Sequence, residues 1–320
     1  MKESFKFYEN MKNTIGNGVI PIIDTSQLES ELYQGGIPVS SLTANAHAVF
    51  HINRVEDYFR MVNFPLQSDL QPRRITVFNF FFLTKGTSSR SKGLDTYDFG
   101  ENTFFFVPAY QITTHKFIRN DVEGFYCHFS LDLLTTDYKL KDLLNEFPFL
   151  EFNSHPLIVI KEEAKAFVIP LLERLLTEYK AGASCRYDIL RTYLITLFTE
   201  LKPFAASSAM VSSNAATTIT EQYKKALSQH IYQKQKITDY AELLSVSPNH
   251  LNKCVKKTLG KSAHDLLNEM LLLEAKVLLK QTNLNVTEIA YRIGKNEISD
   301  FARFFKSQTG MKPSEYRLMS

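Results

Sequence analysis

The chain has 320 residues, 44% of them hydrophobic and 12% aromatic, so it can bury the cores of two ordinary domains and is not intrinsically disordered. A formal net charge of +3, from 37 basic and 34 acidic residues, is too small to indicate a nucleic-acid-binding protein by itself. Three widely spaced cysteines exclude a disulfide framework, and neither a signal-peptide core nor an apolar run of membrane-spanning length is present. These features predict a soluble, cytoplasmic protein.

The first 160 residues are predicted to form a β-rich domain. Its strands are expected in segments 73–86, 101–117 and 124–134. These segments are dense in Phe, Ile, Val and Thr, and they are separated by Gly, Pro, Asn and Asp, which favour turns. Short aromatic strands of this kind are typical of a small antiparallel barrel or sandwich. Because the consecutive phenylalanines at 80–82 cannot all point to one face, some must line the interior.

Polar and aromatic side chains near these strands are candidates for orienting a small-molecule effector. The paired arginines at the start of the first segment would suit an anionic or sugar-like ligand. The alternative, that both arginines are surface residues, is at least as compatible with the sequence. The candidates are Arg73, Arg74, Asn79, Phe80, Phe82, Tyr97, Tyr110 and His115.

Two amphipathic helices are predicted over residues 161–202. Leucine, phenylalanine and tyrosine residues recur at helical spacing in 161–180 and again in 186–202. Their apolar stripes are wide enough to pack against the β-rich domain and against a second copy, so we predict a homodimer through residues 161–202. The next segment, 203–218, has no charged residue and is mostly Ala, Ser and Thr, which predicts a flexible interdomain linker.

The charge of the chain divides at this linker. Residues 219–320 contain 16 basic and 10 acidic residues, a net charge of +6. The other 21 basic and 24 acidic residues give residues 1–218 a net charge of −3. Two parts of opposite charge indicate separate roles, one of them electrostatic, and residues 219–320 are predicted to form the domain with that role.

This C-terminal domain contains a repeat with an offset of 50 residues. Lys253 corresponds to Arg303, and Gly260 corresponds to Gly310. Each copy is predicted to be a helix, a short turn and a second helix, with the length and caps of a helix-turn-helix. A connector helix beginning at Ser262 would span about 27 Å, and one turn of B-DNA is about 34 Å long. The connector can therefore set the second helix of each copy into successive major grooves.

The second helix of each copy carries polar side chains opposite its apolar side. Asn can bond adenine and Arg or Lys can bond guanine, whereas lysines further along the helix suit phosphates. The alternative is that these residues only form a solvated helix face. The predicted base-reading residues are Asn249, Asn252, Lys253, Ser299 and Arg303. The predicted phosphate-binding residues in these helices are Ser247, Lys256, Lys257 and Lys306.

Motifs of the C-terminal third carry a resemblance to a known family. They include Ala-x-x-Leu-x-Val-Ser-Pro from Ala241, Glu-Ile-Ala-x-x-Ile-Gly from Glu288, and Gly-Met-Lys-Pro-Ser-Glu-Tyr-Arg ending at Arg317. With these motifs the chain resembles the AraC/XylS family of bacterial transcription regulators. The resemblance implies a double helix-turn-helix domain that binds double-stranded promoter DNA and usually activates transcription, often by contacting RNA polymerase. It assigns base recognition to the same five residues.

The resemblance also implies a cupin-like sensor domain and a dimerising helix pair before the linker. The predicted fold class is therefore α+β: a cupin-like antiparallel β-barrel over residues 1–160, the helical pair, and an all-α C-terminal domain. Family members usually have an aromatic residue after the position of Gly294, where this chain has Lys295. Lys295 is expected to bind a phosphate; the alternative is that the second repeat is packed less firmly.

No enzyme signature is found in the sequence. Cupin metal sites use a His-x-His pair, which is absent, and the spacing of His47 and His51 would suit a metal only on a helix. A Ser-His-Asp signature, a P-loop and a dinucleotide-binding fingerprint are also absent. We expect a transcriptional regulator, not an enzyme, without metal or cofactor. Two alternatives stay open: a cupin metalloenzyme and a constitutive architectural protein, each carrying the DNA-binding module.

Overall fold

A computed structural model of the chain describes residues 50–57, 71–118, 121–135, 139–152, 154–208 and 214–319. The chain divides into two units, residues 1–210 and 211–320. In the part of the chain that is described, none of the helices has both the length and the apolar character needed to cross a membrane.

The first unit is built on two antiparallel sheets. Its strands are β1 (Phe50–Arg54), β2 (Arg73–Arg74), β3 (Phe78–Lys85), β4 (Ser88–Lys92), β5 (Asp95–Phe99), β6 (Thr103–Val107), β7 (Ile112–Ile118), β8 (Glu123–Phe129) and β9 (Leu157–Val159). Over the described residues, a larger sheet has the order β1-β8-β3-β6-β9 and a smaller one the order β2-β7-β4-β5. The strands predicted from the aromatic segments are present, and the second of these segments is divided at Pro108 between β6 and β7.

Four helices complete the described part of the first unit, two of them before β9 and two after it. They are α1 (Leu131–Thr135), α2 (Leu140–Glu146), α3 (Lys165–Lys180) and α4 (Tyr187–Ser208), with 3₁₀ turns at Pro148–Leu150, Glu162–Ala164 and Gly182–Ser184. The apolar side of α3 and α4 packs against the larger sheet. There Phe198 of α4 contacts Phe129, with ring centroids 5.5 Å apart.

Phenylalanines of the larger sheet point alternately to its two faces. Phe80 and Phe82 share a core with α3 and α4. Phe81 and Phe105 lie on the other face, where Phe105 stacks on Phe99 of the smaller sheet at 5.0 Å. This alternation follows from the two-residue period of a strand and confirms that the phenylalanine runs divide between two faces. Both faces are buried because helices cover one and the smaller sheet covers the other.

The segment predicted to be a flexible linker is largely helical. Residues 203–208 continue α4, and α5 (Ala215–His230) begins inside the same segment, capped by Asn214, whose Oδ1 accepts the Thr217 amide at 3.0 Å. The predicted linker, 203–218, therefore includes residues that belong to the two flanking helices. Alanine has the highest helix propensity, so an uncharged Ala-rich segment need not be flexible. Residues 209–213 of the segment lie outside the described residues.

The second unit consists of helices throughout its described residues. After α5 come α6 (Ile237–Leu243), α7 (Pro248–Leu259), α8 (Ala263–Gln281), α9 (Val286–Arg292), α10 (Ile298–Thr309) and α11 (Pro313–Leu318). Helix α8 is the predicted connector. With 19 residues it is about 28 Å long.

In the first unit, Glu178 joins the end of α3 to the start of α4. Its carboxylate accepts hydrogen bonds from the Arg186 amide at 3.0 Å, from the Arg186 guanidinium at 2.8 and 2.9 Å, and from Arg174 at 2.6 Å. These hydrogen bonds from Arg186 and Arg174 lower the pKa of Glu178 from its ordinary 4.5 to about 2. The bonds fix the angle between the two helices that were predicted to mediate dimerisation.

Replacing Glu178 by Gln should weaken this joint in a pH-dependent way. A depressed folded-state pKa stabilises the fold fully above pH 4.5, and the stabilisation is lost as the pH falls toward 2. We expect Glu178→Gln to lower the thermal midpoint at neutral pH and to flatten the loss of stability on acidification, measured by circular dichroism. Glu200→Gln, on the exposed side of α4, is the control; equal effects of both substitutions would contradict this role.

Candidate nucleic-acid interface

Helices α6 and α7 form the first helix-turn-helix. The turn contains Ser245, whose positive φ of 55° is a conformation that costs a non-glycine residue about 1–2 kcal/mol. Helix α7 begins after Ser247, whose Oγ accepts the His250 amide at 3.2 Å. It ends at Gly260, which has a left-handed conformation with φ of 74°.

Helices α9 and α10 form the second helix-turn-helix with the same geometry. Gly294 takes the place of Ser245 in the turn, with φ of 76°. In the first turn the Val246 amide donates to the carbonyl of Ala241 at 2.9 Å. In the second turn the Lys295 amide donates to the carbonyl of Ala290 at 2.8 Å. Helix α10 ends at Gly310 with φ of 80°. The predicted repeat is therefore also a repeat of backbone conformation.

The second helix of each copy has one buried side and one exposed side. In α7 the buried residues are Leu251, Cys254 and Val255, and in α10 they are Phe301 and Phe305. The base-reading candidates on the exposed sides are Asn249, Asn252, Lys253, Ser299 and Arg303. Asn249 and Lys253 are four residues apart, as are Ser299 and Arg303, so each pair lies together on its helix.

The side chain of Asn252 is bonded to the backbone of another helix of the unit. Its Oδ1 accepts the backbone amide of Ala263 at 3.0 Å. Ala263 is the first residue of α8, whose amide has no partner within its own helix. In this arrangement Asn252 holds α7, the recognition helix of the first copy, to the start of the connector, and its acceptor oxygen is occupied by this bond.

Arg303 and Lys295 both have contacts that bear on their predicted roles. Arg303 Nη2 lies 3.3 Å from the carboxylate of Asp300, but both side chains are strongly exposed, so the pair contributes little to stability and can exchange for a DNA partner. Lys295 Nζ lies 4.8 Å from the centre of the Phe304 ring. Its cation–π contact provides packing on the second recognition helix, in addition to any contact with a phosphate.

The other phosphate-binding candidates stand at the ends of the two recognition helices. Ser247 occupies the N-cap of α7, so its hydroxyl is already bonded to the helix. Lys256 and Lys257 in α7, and Lys306 in α10, are exposed in the last turn of their helices. Cations at this end also interact favourably with the helix dipole. Their position beside the exposed faces fits contact with a DNA backbone.

Arg317 is a positioning residue that we had not predicted to have a role. From α11 its guanidinium donates to the carbonyl oxygens of Leu279 at 3.1 Å and of Leu284 at 2.5 Å. It thus joins the end of α8 to the segment before α9. The conspicuous Gly-Met-Lys-Pro-Ser-Glu-Tyr-Arg motif was the signal for this role, since its last residue makes the bonds.

The effector candidates of the first unit divide between the faces of the larger sheet. Phe80, Phe82 and Tyr110 contact the core shared with the helices. These three side chains therefore lie on the helix side of the larger sheet. Phe81 lies on the side of the smaller sheet, because successive strand residues point to opposite faces.

The remaining effector candidates lie at or near the region between the sheets. Asn79 is almost fully buried in β3, and His115 in β7 contacts Phe81 with ring centroids 5.1 Å apart. Arg73 lies beside His115, where its charge contributes to lowering the pKa of the imidazole. The last two are Arg74, which donates to a backbone carbonyl at 3.0 Å, and Tyr97, which contacts Phe105.

The sequence did not predict two buried cations in the same region. Arg90 and Lys92 of β4 have only 2% and 6% of their surface exposed. The strand reads Ser-Ser-Arg-Ser-Lys, and without an apolar residue it gives no hydrophobic periodicity. The turn at Gly93 before the more apolar β5 is the one local signal for a hairpin.

Of the two histidines considered as a metal site, only His51 lies in the described residues. His51 lies in β1, not on a helix, and its ring stacks on His128 at 4.9 Å. His47 lies outside the described residues. Among the residues that are described, no three His, Cys, Asp or Glu side chains are grouped so that they could hold a metal ion.

Known proteins are similar to this chain mainly in its second unit. A family model for a helix-turn-helix domain matches residues 240–319. YisR of Bacillus subtilis (strain 168), an uncharacterized HTH-type transcriptional regulator, is 28% identical over 121 residues, which are 38% of this chain and 42% of YisR. YijO of Escherichia coli (strain K12), another uncharacterized HTH-type transcriptional regulator, is 34% identical over 99 residues, 31% of this chain and 32% of YijO. The chain thus spans less than half of either relative.

A solved structure is similar over a longer part of the chain. ToxT from Vibrio cholerae strain SCE256, determined with an unsaturated fatty acid bound, has a TM-score of 0.40 and 17% sequence identity. The alignment covers 88% of this chain and 98% of that of ToxT.

Asn252→Ala tests whether this residue positions the connector or contacts a base. Loss of the bond to Ala263 should lower the free energy of unfolding by about 1 kcal/mol, the usual cost of removing a side-chain cap. Urea unfolding of the full chain, followed by circular dichroism, measures this change. Asn249→Ala, on the same helix, should leave stability unchanged. An Asn252→Ala variant with unchanged stability but altered base preference would show that Asn252 contacts DNA.

Proposed function

We propose that this chain, whose residues 240–319 match a helix-turn-helix family model, is a sequence-specific DNA-binding transcription regulator. The observation that carries the proposal is the matched exposed side of α7 and α10. Asn249 and Lys253 in α7 occupy the positions of Ser299 and Arg303 in α10, and all four are exposed. Donors and acceptors repeated in this way suit base edges in two major-groove segments.

The length of the connector supports binding along one face of the duplex. Helix α8 is about 28 Å long, close to the helical repeat of B-DNA, about 34 Å. The two recognition helices differ in sequence, so one chain would bind an asymmetric site. Lys256 and Lys306 would add phosphate contacts beside each recognition helix.

We propose that the protein activates transcription, with RNA polymerase as a partner, as its resemblance to the AraC/XylS family implies.

A DNA-binding role and the three unpaired cysteines, Cys127, Cys185 and Cys254, support a cytoplasmic protein. We also propose that a small-molecule effector acts through the first unit, supported by the buried polar groups between its sheets.

Dimerisation through residues 161–202 is supported by an apolar side chain on the solvent side of α3. Phe167 is 63% exposed, although its neighbour Val168 is fully buried against the sheet. A large exposed aromatic residue beside a packed helix face is typical of a protein–protein contact. We propose that a second copy of this chain covers it.

Arg303→Ala and Lys306→Ala should separate base recognition from phosphate binding. On a site selected from random DNA with the full chain, Arg303→Ala should cost about 1–3 kcal/mol and relax the preference at one base pair. Lys306→Ala should weaken binding to all sequences alike and reduce the slope of log affinity against log salt by about one. Both effects are measured by fluorescence anisotropy over a salt series.

Lys161→Ala, an exposed lysine of the first unit, is the matched control and should change neither quantity. Equal losses of Arg303→Ala on selected and random DNA would show that Arg303 contacts a phosphate. If the full chain selected no sequence at all, the proposed regulator function would be wrong.

Phe167→Glu should convert the proposed dimer to a monomer, because a charge in an apolar contact loses its hydration without a partner. Analytical ultracentrifugation of the full chain measures the change. Leu318→Glu, at an apolar residue of the second unit that is 84% exposed, should leave the dimer intact. A dimer that survives Phe167→Glu would place the contact elsewhere.

A further inference from the structure

Arg90 is a buried cation with unmade hydrogen bonds among the described residues. Only 2% of its surface is exposed. Within the described part of the chain, its Nε and Nη1 atoms are both buried and have no acceptor. An isolated buried charge with unmade hydrogen bonds is strongly unfavourable, so a protein retains one where a partner of opposite charge can bind.

Two aromatic rings of the larger sheet lie against the Arg90 guanidinium. Its central carbon lies 4.1 Å from the centre of the Phe81 ring and 5.4 Å from that of Phe105. These cation–π contacts hold the guanidinium between the two sheets, and its Nε and Nη1 hydrogens make no bond within the described residues. Burial lowers the pKa of Arg90 to about 9, so the group still carries its charge at neutral pH.

Further cationic and polar groups share the Arg90 face of the smaller sheet. Arg90 pairs in register with His115, and Lys92 and Arg73 both pair with Thr113, two residues along the same strand. Paired residues lie on one side of a sheet. Burial, together with the charges of Arg90 and Arg73, holds the pKa of His115 well below its ordinary value, so its imidazole is neutral. Its buried Nδ1 has no partner among the described residues.

The larger sheet contributes an amide to the same region. Asn79 is 1% exposed and lies two residues before Phe81, on the same face of β3. Neither Nδ2 nor Oδ1 of its side chain has a hydrogen-bond partner among the residues described. A buried amide that makes none of its bonds is rare in folded proteins and again indicates a missing partner.

We propose that Arg90, Asn79 and His115 form a site between the two sheets that binds the carboxylate of a small organic acid. The site names the ligand class of the proposed effector, and its role in regulation rests on that proposed function. It includes a residue, Arg90, that the sequence did not indicate. A guanidinium donates in one plane to the two oxygens of a carboxylate. The Asn79 amide and the neutral imidazole supply further donors.

The surroundings favour an organic carboxylate over other ligands. Phe81, which keeps 7% of its surface exposed, offers apolar surface to the body of an acid. An inorganic phosphate has no apolar part to occupy that surface. A neutral sugar would leave the charge of Arg90 uncompensated.

Thermal shift measurements on the full chain without DNA test the site directly. Benzoate is the probe, and benzamide, of the same shape without the charge, is its control. Benzoate should raise the midpoint of unfolding of the first unit, and benzamide should not. Arg90→Lys keeps a charge but loses the planar fork, and it should weaken benzoate binding about 10- to 100-fold, as expected for one charge-assisted hydrogen bond of about 1.5–3 kcal/mol.

A stability comparison gives a second readout that needs no ligand. Arg90→Met removes an uncompensated charge, so the unliganded variant should be at least as stable as the wild type. Arg54 is the matched control: it also stacks on a ring, Phe125 at 4.5 Å, but it is bonded to Glu173. Arg54→Met should therefore lower stability.

Three results would overturn the carboxylate site: stabilisation by phosphate but not benzoate, benzoate binding that Arg90→Lys leaves unchanged, or a loss of stability in Arg90→Met as large as in Arg54→Met. A failure of the proposed regulator function is recognised separately, because it concerns selection of DNA by the second unit. Benzoate binding that depends on Arg90 supports the site whichever DNA result is found.

Discussion

The helix-turn-helix unit depends on the packing of one helix, α8, which lies between its two copies. Its buried residues extend from Ala263 at its start to Leu279 near its end. At its first end Asn252 joins α8 to α7, and at its other end Arg317 joins α8 to the segment before α9. Because a helix has a fixed rise per residue, the length of α8 sets the spacing at which the two recognition helices could meet DNA.

The first unit combines two kinds of packing on one sheet. The face of the larger sheet that meets α3 and α4 is aromatic and aliphatic, and it supplies the main core. The face that meets the smaller sheet carries Asn79, and Arg90 reaches it from the smaller sheet; both are buried with polar atoms that have no partner among the described residues. Proteins accept such local costs in stability mainly at functional sites. The first face therefore stabilises the fold, and the second is the proposed place for a ligand.

Several features could be predicted because they depend on local sequence patterns. The aromatic strands, the helices α3 and α4 and the two helix-turn-helix copies follow from periodicity, caps and an internal repeat. The linker was overestimated because its lack of charge resembles a flexible segment, although alanine favours helix. Strand β4 was missed because a hydrophobic pattern cannot identify a strand without apolar residues. The role of Arg317 was missed because its partners are distant carbonyl groups.

The sequence by itself determined the helix-turn-helix domain, since its repeat, its caps and its motifs are local and need no knowledge of distant contacts. It also determined which side of each recognition helix is exposed, because helical spacing separates apolar from polar residues. Only the tertiary structure decided that Asn252 bonds Ala263 and that Phe81, not Phe80 or Phe82, faces the smaller sheet. The burial of Arg90 was likewise decided by the second sheet. The reason is the same in each case: a side chain's pattern in sequence defines its face, but its partner comes from a remote part of the chain.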